Sequence, residues 1–267
     1  MTVRIEVDGP VWTIIHSRPE VRNAMNPAHA KELFEAFVTF DQDPEASVAV
    51  FWGDGGAFCA GFDLKHAASL DDEDDGISAL SFDRDAGGGH TRAPMGPSRL
   101  ELSKPVIAAV AGPAVAGGME LAMWADLRVM EATAYMGVYC RRWGVPLIDG
   151  GTVRLPRLVG EGRAMDLILT GRQVMADECE RIGLCEYVVP EGEARAKAEE
   201  LAHQIARFPQ QCMRSDMLSA RAQHGLPLQE ALQHEYESSK AMVRAEGISG
   251  ARRFADGAGR GGDFNQI

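Results

Sequence analysis

One stretch constrains this chain more than any other, running from Lys104 to Ala122. Val106 to Val110 is a short apolar run opened by Pro105, which reads as a buried strand. Gly112-Pro113 breaks that strand. Gly117-Gly118 then opens an apolar segment without strand alternation that runs to Trp124, the pattern of a buried helix. A strand, a glycine bend and a helix N-terminus together form a site for negative charge. The first N–H groups of a helix lack internal partners, and the macrodipole adds partial positive charge there. Glu120 sits about one turn into this helix, so its carboxylate lies near whatever those N–H groups hold. An anion hole beside a buried carboxylate points to carbonyl activation coupled to proton transfer. The plainer alternative is a structural strand–helix join with Glu120 as a first-turn dipole partner.

The rest of the chain sets limits on that reading. Its 267 residues, 45% of them hydrophobic, suffice for one large domain or a domain with a helical appendage. A formal net charge of −12 argues against nucleic acid and anionic membranes as partners. Cys59, Cys140, Cys179, Cys185 and Cys212 are scattered and odd in number, which fits reduced thiols in a cytoplasmic protein. No basic-then-apolar leader is expected, and no apolar run nears the roughly 20 residues needed to span a bilayer.

Taken in order, the chain opens with two β-rich runs, Val3 to Val7 and Val11 to Ile15, around Asp8-Gly9-Pro10. Asn26-Pro27 reads as an N-cap and first helical residue, with a helix expected to about Phe40. Ser47 to Trp52 is a further buried strand. The loop after it, Gly53 to Leu64, holds Gly61-Phe62-Asp63 at the entry to a short helix. The Phe62 N–H is the candidate second donor of the anion hole. No dinucleotide or P-loop glycine pattern is present, so no cofactor of either kind is expected, and no metal site. The acidic cluster Asp71 to Asp75 lacks the alternating ligand spacing of a calcium loop and reads as solvated chain. Lone His66 and His90 are not favoured as catalytic groups.

A helix is expected near Pro97–Leu102, strands at Asp126–Met130 and Ala134–Met136, and a helix from about Thr152 after a glycine-rich segment. Two strands followed by a helix thus recur, which favours a β-β-α coil over a nucleotide-binding sheet. From there the chain is mostly helical, with one strand at Glu186–Val189 and a loose tail from Gly257. Long apolar faces on terminal helices lead us to expect oligomerisation.

Three segments together resemble the enoyl-CoA hydratase/isomerase, or crotonase, superfamily: Arg22 to Asn26, Ala57 to Leu64, and Lys104 to Ala122. Gly150-Gly151-Thr152 with Arg154-Leu155, Leu158-Val159-Gly160, Leu169-Thr170-Gly171 and Gly183-Leu184 with Val188-Val189 extend the match in order along nearly the whole chain. The resemblance implies an α/β fold, a β-β-α superhelix over residues 1–195. A helical trimerisation region over 196–267 would build a homotrimer or a dimer of trimers. It implies an acyl-CoA thioester as substrate, with no other cofactor. The Phe62 and Gly117 N–H groups would hold the thioester oxygen. Arg22, Ala24, Ala60, Asp63, Leu64 and Lys65 would lie along the CoA, with Arg22 and Lys65 as phosphate contacts.

Glu120 matches one of the two catalytic glutamates of the hydratases. The second falls on Cys140, a departure from the pattern. A thiol with pKa near 8.5 is a poor substitute unless Arg141 and Arg142 lower it. Asp149 is the other available acid. The expected activity is enoyl-CoA hydration. The missing glutamate leaves open another enolate reaction (isomerisation, decarboxylation, C–C cleavage or dehalogenation), or a non-catalytic acyl-CoA-binding protein.

Overall fold

The computed structural model describes residues 2–69, 91–259 and 261. The acidic cluster, His90 and most of the tail expected to be loose lie outside these.

The chain begins with a hairpin, β1 (Val3–Asp8) and β2 (Val11–His16), paired antiparallel from Val3 against His16 to Asp8 against Val11. Helix α1 (Pro27–Gln42) follows, and β3 (Val48–Gly53) pairs parallel to β2. The Asn26 cap is real: its side-chain oxygen accepts the His29 N–H at 2.9 Å, and Pro27 occupies the first helical position. A one-turn helix α2 (Leu64–Ala67) closes the first stretch.

After it come β4 (Val106–Val110), β5 (Pro113–Val115), α3 (Gly117–Trp124), β6 (Leu127–Glu131) and β7 (Tyr135–Gly137). The second half holds α4 (Gly151–Val159), α5 (Glu161–Thr170), β8 (Gln173–Met175), α6 (Ala176–Ile182) and β9 (Tyr187–Val189). Four helices finish the chain: α7 (Ala194–Ala206), α8 (Gln210–Ala222), α9 (Leu228–Met242) and α10 (Ile248–Ala255).

Six strands form one sheet in the order β1-β2-β3-β4-β6-β9, parallel apart from the hairpin. Both faces of its central strands β3 and β4 are covered, which is why these read as continuous apolar runs, while the edge strand β1 is exposed and alternates. Val48 and Val50 of β3 pack with Ala194, Ala198 and Leu201 of α7, while Ala49 and Phe51 face α1 and the interior. A smaller sheet, β5-β7-β8, stacks across that interior, and an isolated parallel bridge from Cys59 to Ala114 extends it. The turns that hold β4-β5-α3 and β6-β7-α4 therefore each give one strand to the large sheet and a short one to the small sheet before a helix returns, as the β-β-α repeat implied.

Three details differ from the sequence-based expectation. Pro97–Leu102 is not a helix: only Pro97–Arg99 turns, and the chain then runs extended with Leu100 and Leu102 buried and Glu101 and Ser103 exposed. That period of two was present in the sequence but masked by the preceding proline turn. Strands β5 and β8 were not anticipated, since three residues carry little pattern and the pairing partners define them. The boundary expected at 195/196 falls inside α7, whose buried face belongs to the core of the large sheet.

Asn23 joins the first connection to the loop after β3. It is fully buried and has φ of 58°, a backbone region where Asn is among the tolerated residues. Its Oδ1 accepts the Arg18 N–H at 2.6 Å, and its Nδ2 donates to the carbonyls of Asp54 and Ala57, each at 2.7 Å. Replacing it leaves the Ala57 carbonyl, which is buried, and two half-buried groups without their partner, and strains the backbone. Asn23→Ala is expected to lower unfolding free energy by about 3 kcal/mol, measured by urea denaturation; a loss within experimental error would refute this role.

Candidate active site

Two chain bends meet at the site. One leaves β3 and reaches Phe62; the other joins β5 to α3. The Cys59–Ala114 bridge holds them side by side, with the Cys59 N–H donating to Pro113 O and the Val115 N–H to Cys59 O, both at 3.0 Å. The approach is close enough that only glycine fits at 118, where a Cβ would lie 2.0 Å from the Cys59 carbonyl oxygen. A Cβ on Gly61 would sit 3.1 Å from the Gly117 nitrogen, so the bends touch at Gly117 and at the residue before Phe62.

The geometry leaves two amides free. Met25 bridges Phe62 in parallel: the Met25 N–H donates to Gly61 O at 2.7 Å, and the Asp63 N–H donates to Met25 O at 2.8 Å. In such a bridge the opposed residue turns its own N–H to the far side, so the Phe62 N–H points away from Met25. Gly117 is the first residue of α3, and its N–H has no intrahelical acceptor. Among the described residues neither amide has a hydrogen-bond partner. Ala116, which turns the chain into α3, has φ of 54° and ψ of −125°. Such a conformation costs a non-glycine residue about 1–3 kcal/mol and is characteristic of sites under functional constraint.

Phe62 and Gly117 line a cavity of about 170 Å³, as do Glu120, Cys140 and Asp149. The structure thus gathers all five of the residues singled out for chemistry. Glu120 is 3% exposed. Its Oε1 accepts the N–H of Asp149 at 3.0 Å and that of Gly151 at 2.8 Å. Burial is the main force on its acidity, and the nearby Asp149 carboxyl adds to it; the two amides and Arg154 oppose both. The balance raises its pKa from the ordinary 4.5 to about 7. A carboxyl poised near neutrality can accept and return a proton at little cost.

Cys140 and Asp149 hold different positions in this chemistry. Burial and the Glu120 charge push the Cys140 thiol up, against a smaller effect of Arg141. The activation by neighbouring arginines considered above is therefore not what the fold provides. Arg141 Nε donates to Ile168 O at 3.1 Å, and the Arg142 guanidinium stacks 3.9 Å over the Tyr139 ring. Asp149 accepts the Met95 N–H at 3.0 Å and the Ser98 hydroxyl, so its carboxylate fastens the loop at Met95–Ser98 to the glycine turn before α4. Burial raises its pKa, and those two donors oppose the rise.

The residues matched to CoA lie along one edge. The Ala60 N–H donates to Arg22 O at 3.0 Å, which brings the two loops together, and both Arg22 and Lys65 are exposed. Ala60 and Leu64 line the cavity, and the Ala24 carbonyl accepts from Arg18. Asp63 does internal duty: it caps α2 through the Lys65 and His66 N–H groups and pairs with Arg18 at 3.1 Å. His66 is outside the cavity lining. Met95, Trp143, Ser98 and Arg154 were not singled out by sequence, because their placement depends on contacts across tens of residues. Among the described residues no group of three or more His, Cys, Asp or Glu side chains could hold a metal.

A coil of β-β-α turns around a buried glutamate and two unpaired amides is the crotonase fold. Residues 6–256 match the family model described as enoyl-CoA hydratase/isomerase, and the chain belongs to that family. It is 33% identical over 260 residues to enoyl-CoA hydratase EchA19 of Mycobacterium tuberculosis, covering 94% of this chain and 92% of that one. It is also 33% identical over 228 residues to carnitinyl-CoA dehydratase of Salmonella enteritidis, covering 85% and 83%. A crystal structure of an enoyl-CoA hydratase from Bacillus anthracis superposes with a TM-score of 0.86 at 28% identity, over 96% of each chain.

Holding Glu120 neutral up to about pH 7 has a thermodynamic consequence. In the unfolded chain a glutamate ionises near 4.5, so between that pH and about 7 folding loses stability as pH rises. The full loss is about 3 kcal/mol, at 1.36 kcal/mol per pH unit. Glu120→Gln removes it. The variant should match the wild type in thermal stability below pH 4.5 and exceed it increasingly up to about pH 7; a pH-independent difference would contradict the buried-carboxyl assignment.

Proposed function

We propose that this protein is an enoyl-CoA hydratase, adding water across the double bond of a 2-enoyl-CoA thioester. The observation that carries this reading is one cavity wall bearing two free amides and a carboxyl with pKa near neutrality. The Phe62 and Gly117 N–H groups accommodate the thioester oxygen as negative charge develops on it. One such donor is worth about 3–4 kcal/mol of transition-state stabilisation in other enzymes. Ionised Glu120 takes a proton from water as the oxygen bonds to the β-carbon. The π electrons move toward the thioester, giving an enolate held by the two amides. The proton then returns from Glu120 to the α-carbon. Asp149 is a poor candidate for that last step, since Met95 and Ser98 already engage its carboxylate.

Arg22 and Lys65 provide exposed cations on the edge where CoA phosphates would lie, Ala60 and Leu64 provide contact surface beside them, and Ala24 is buried beneath. Asp63 contributes indirectly, by anchoring α2. Helices α9 and α10 have no buried residues and expose Leu228, Leu232, Tyr236, Ile248 and Phe254. Covering these apolar groups supports a homotrimer or a dimer of trimers. The free thiols support the expected cytoplasmic location.

A second reading is favoured by one feature. Cys140 stands where a second catalytic glutamate was sought, and double-bond isomerisation needs only one proton carrier. Loss of the conjugated thioester absorbance of crotonyl-CoA, with a 3-hydroxyacyl-CoA product, supports hydration. Inertness toward it together with turnover of a 3-enoyl-CoA supports isomerisation, and binding without turnover of either supports a binding protein. Hydration should rise with pH through about 7, since the base form of Glu120 is the active one. Glu120→Gln should abolish turnover while leaving acyl-CoA binding intact, read by steady-state kinetics and calorimetry; retained turnover would refute the assignment.

A further inference from the structure

Nothing in α3 itself holds the Glu120 carboxylate. Its two partners are amides of the turn before α4, those of Asp149 and Gly151. That turn is in turn held by the side chains of Arg154 and Asp149. Arg154 Nη1 donates to the Asp149 carbonyl at 2.9 Å, and Nη2 donates to the Ser98 carbonyl at 2.7 Å. Gly150 between them has φ of 97°, and a Cβ there would lie 2.0 Å from Nη1, so the turn is shaped around the guanidinium. Ser98 closes the circuit, because its hydroxyl donates to the Asp149 carboxylate, which also accepts the Met95 N–H. Met95 and Asp149 both line the cavity.

We propose that Arg154 is the positioning residue of this site: by bridging the Asp149 and Ser98 carbonyls it locks the cavity loop at Met95–Ser98 to the turn whose amides orient Glu120. Arg154 lies outside the cavity lining and acts on substrate only through these groups. Its fork suits the task. A planar guanidinium reaches two carbonyls of separate segments at once, which the single ammonium of lysine does not. Its charge matters as well. The charged and titratable groups acting on Glu120 are Asp149, which raises its pKa, and Arg154, which lowers it, and Cys140 feels the Glu120 charge from across the cavity. Arg99 acts on Asp149, and Arg157 and Arg221 act on Arg154. Arg154 is thus the cation that, after the two amides, favours the base form of Glu120.

The inference rests on Glu120 being the proton carrier, and its test is built to fail separately from that reading. Arg154→Lys and Arg154→Met are compared with the wild type in two measurements. The first is infrared titration of the protonated carboxyl band, assigned by its loss in Glu120→Gln, which needs no substrate. The second is the pH dependence of kcat with crotonyl-CoA, or with a 3-enoyl-CoA if that is the substrate. In Arg154→Met the Glu120 midpoint should rise, as the charge that lowers it is removed. The acid limb of kcat should move with it, and kcat at pH 7 should fall more than 10-fold with KM changed far less. Arg154→Lys should keep the midpoint near its wild-type value, since the charge remains, yet still lose kcat because one carbonyl goes unheld. A midpoint and kcat unchanged in both folded variants, or a loss of thermal stability alone, would overturn the proposal. An inactive wild type would sink the catalytic reading and leave the infrared titration to decide the role of Arg154. If Arg154→Met does not fold, Arg154→Lys alone decides: full kcat refutes the bridging role.

Discussion

The site depends on burying one carboxyl between two main-chain amides. Glu120 is shielded from water, and shielding makes its charge expensive; the N–H groups of Asp149 and Gly151 return part of that cost. The compromise places the group near neutrality rather than at either extreme. A more polar setting would leave it a weak base, and a drier one would leave it permanently protonated. The cavity, the glycine turn and the packing of α3 under β5 all serve to maintain that balance.

The second requirement is that two bends from distant parts of the chain touch. The Cys59–Ala114 bridge and the absence of a side chain at Gly118 permit this, and the Met25–Phe62 bridge turns the Phe62 amide outward. Asn23 secures the same loop from behind. The strain at Ala116 is tolerated because the small sheet and α3 fix the residues on either side. The large sheet provides the rigidity, since its parallel strands are covered on both faces and cannot slip without exposing Val or Ala rows.

Much of this was legible from residue order alone. The run Val106–Val110, the glycine pair at 117–118 and the Asn26-Pro27 cap are local signals whose physics acts within a few residues. The recurrence of two strands and a helix was enough to distinguish a coil from a nucleotide-binding sheet. Where the pattern was short or split the reading failed: β5 and β8 exist because neighbours pair with them, and Leu100–Leu102 is extended because both leucines find the core. Cys140 and Asp149 line the cavity, but their states were not legible. One thiol is raised by burial, and one carboxylate is occupied by a loop more than fifty residues away.

By itself the amino-acid order determined the longer strands and helices, the two glycine bends and the place of Glu120 one turn into α3, because each follows from backbone preference and apolar spacing over short range. Tertiary structure alone decided which amides stay unpaired, how strongly Glu120 holds its proton, and that Arg154 ties the turn behind it to Ser98. Those properties arise from dielectric shielding and from hydrogen bonds between segments far apart in the chain. Such terms have no local signature, since they come into being only when the coil closes.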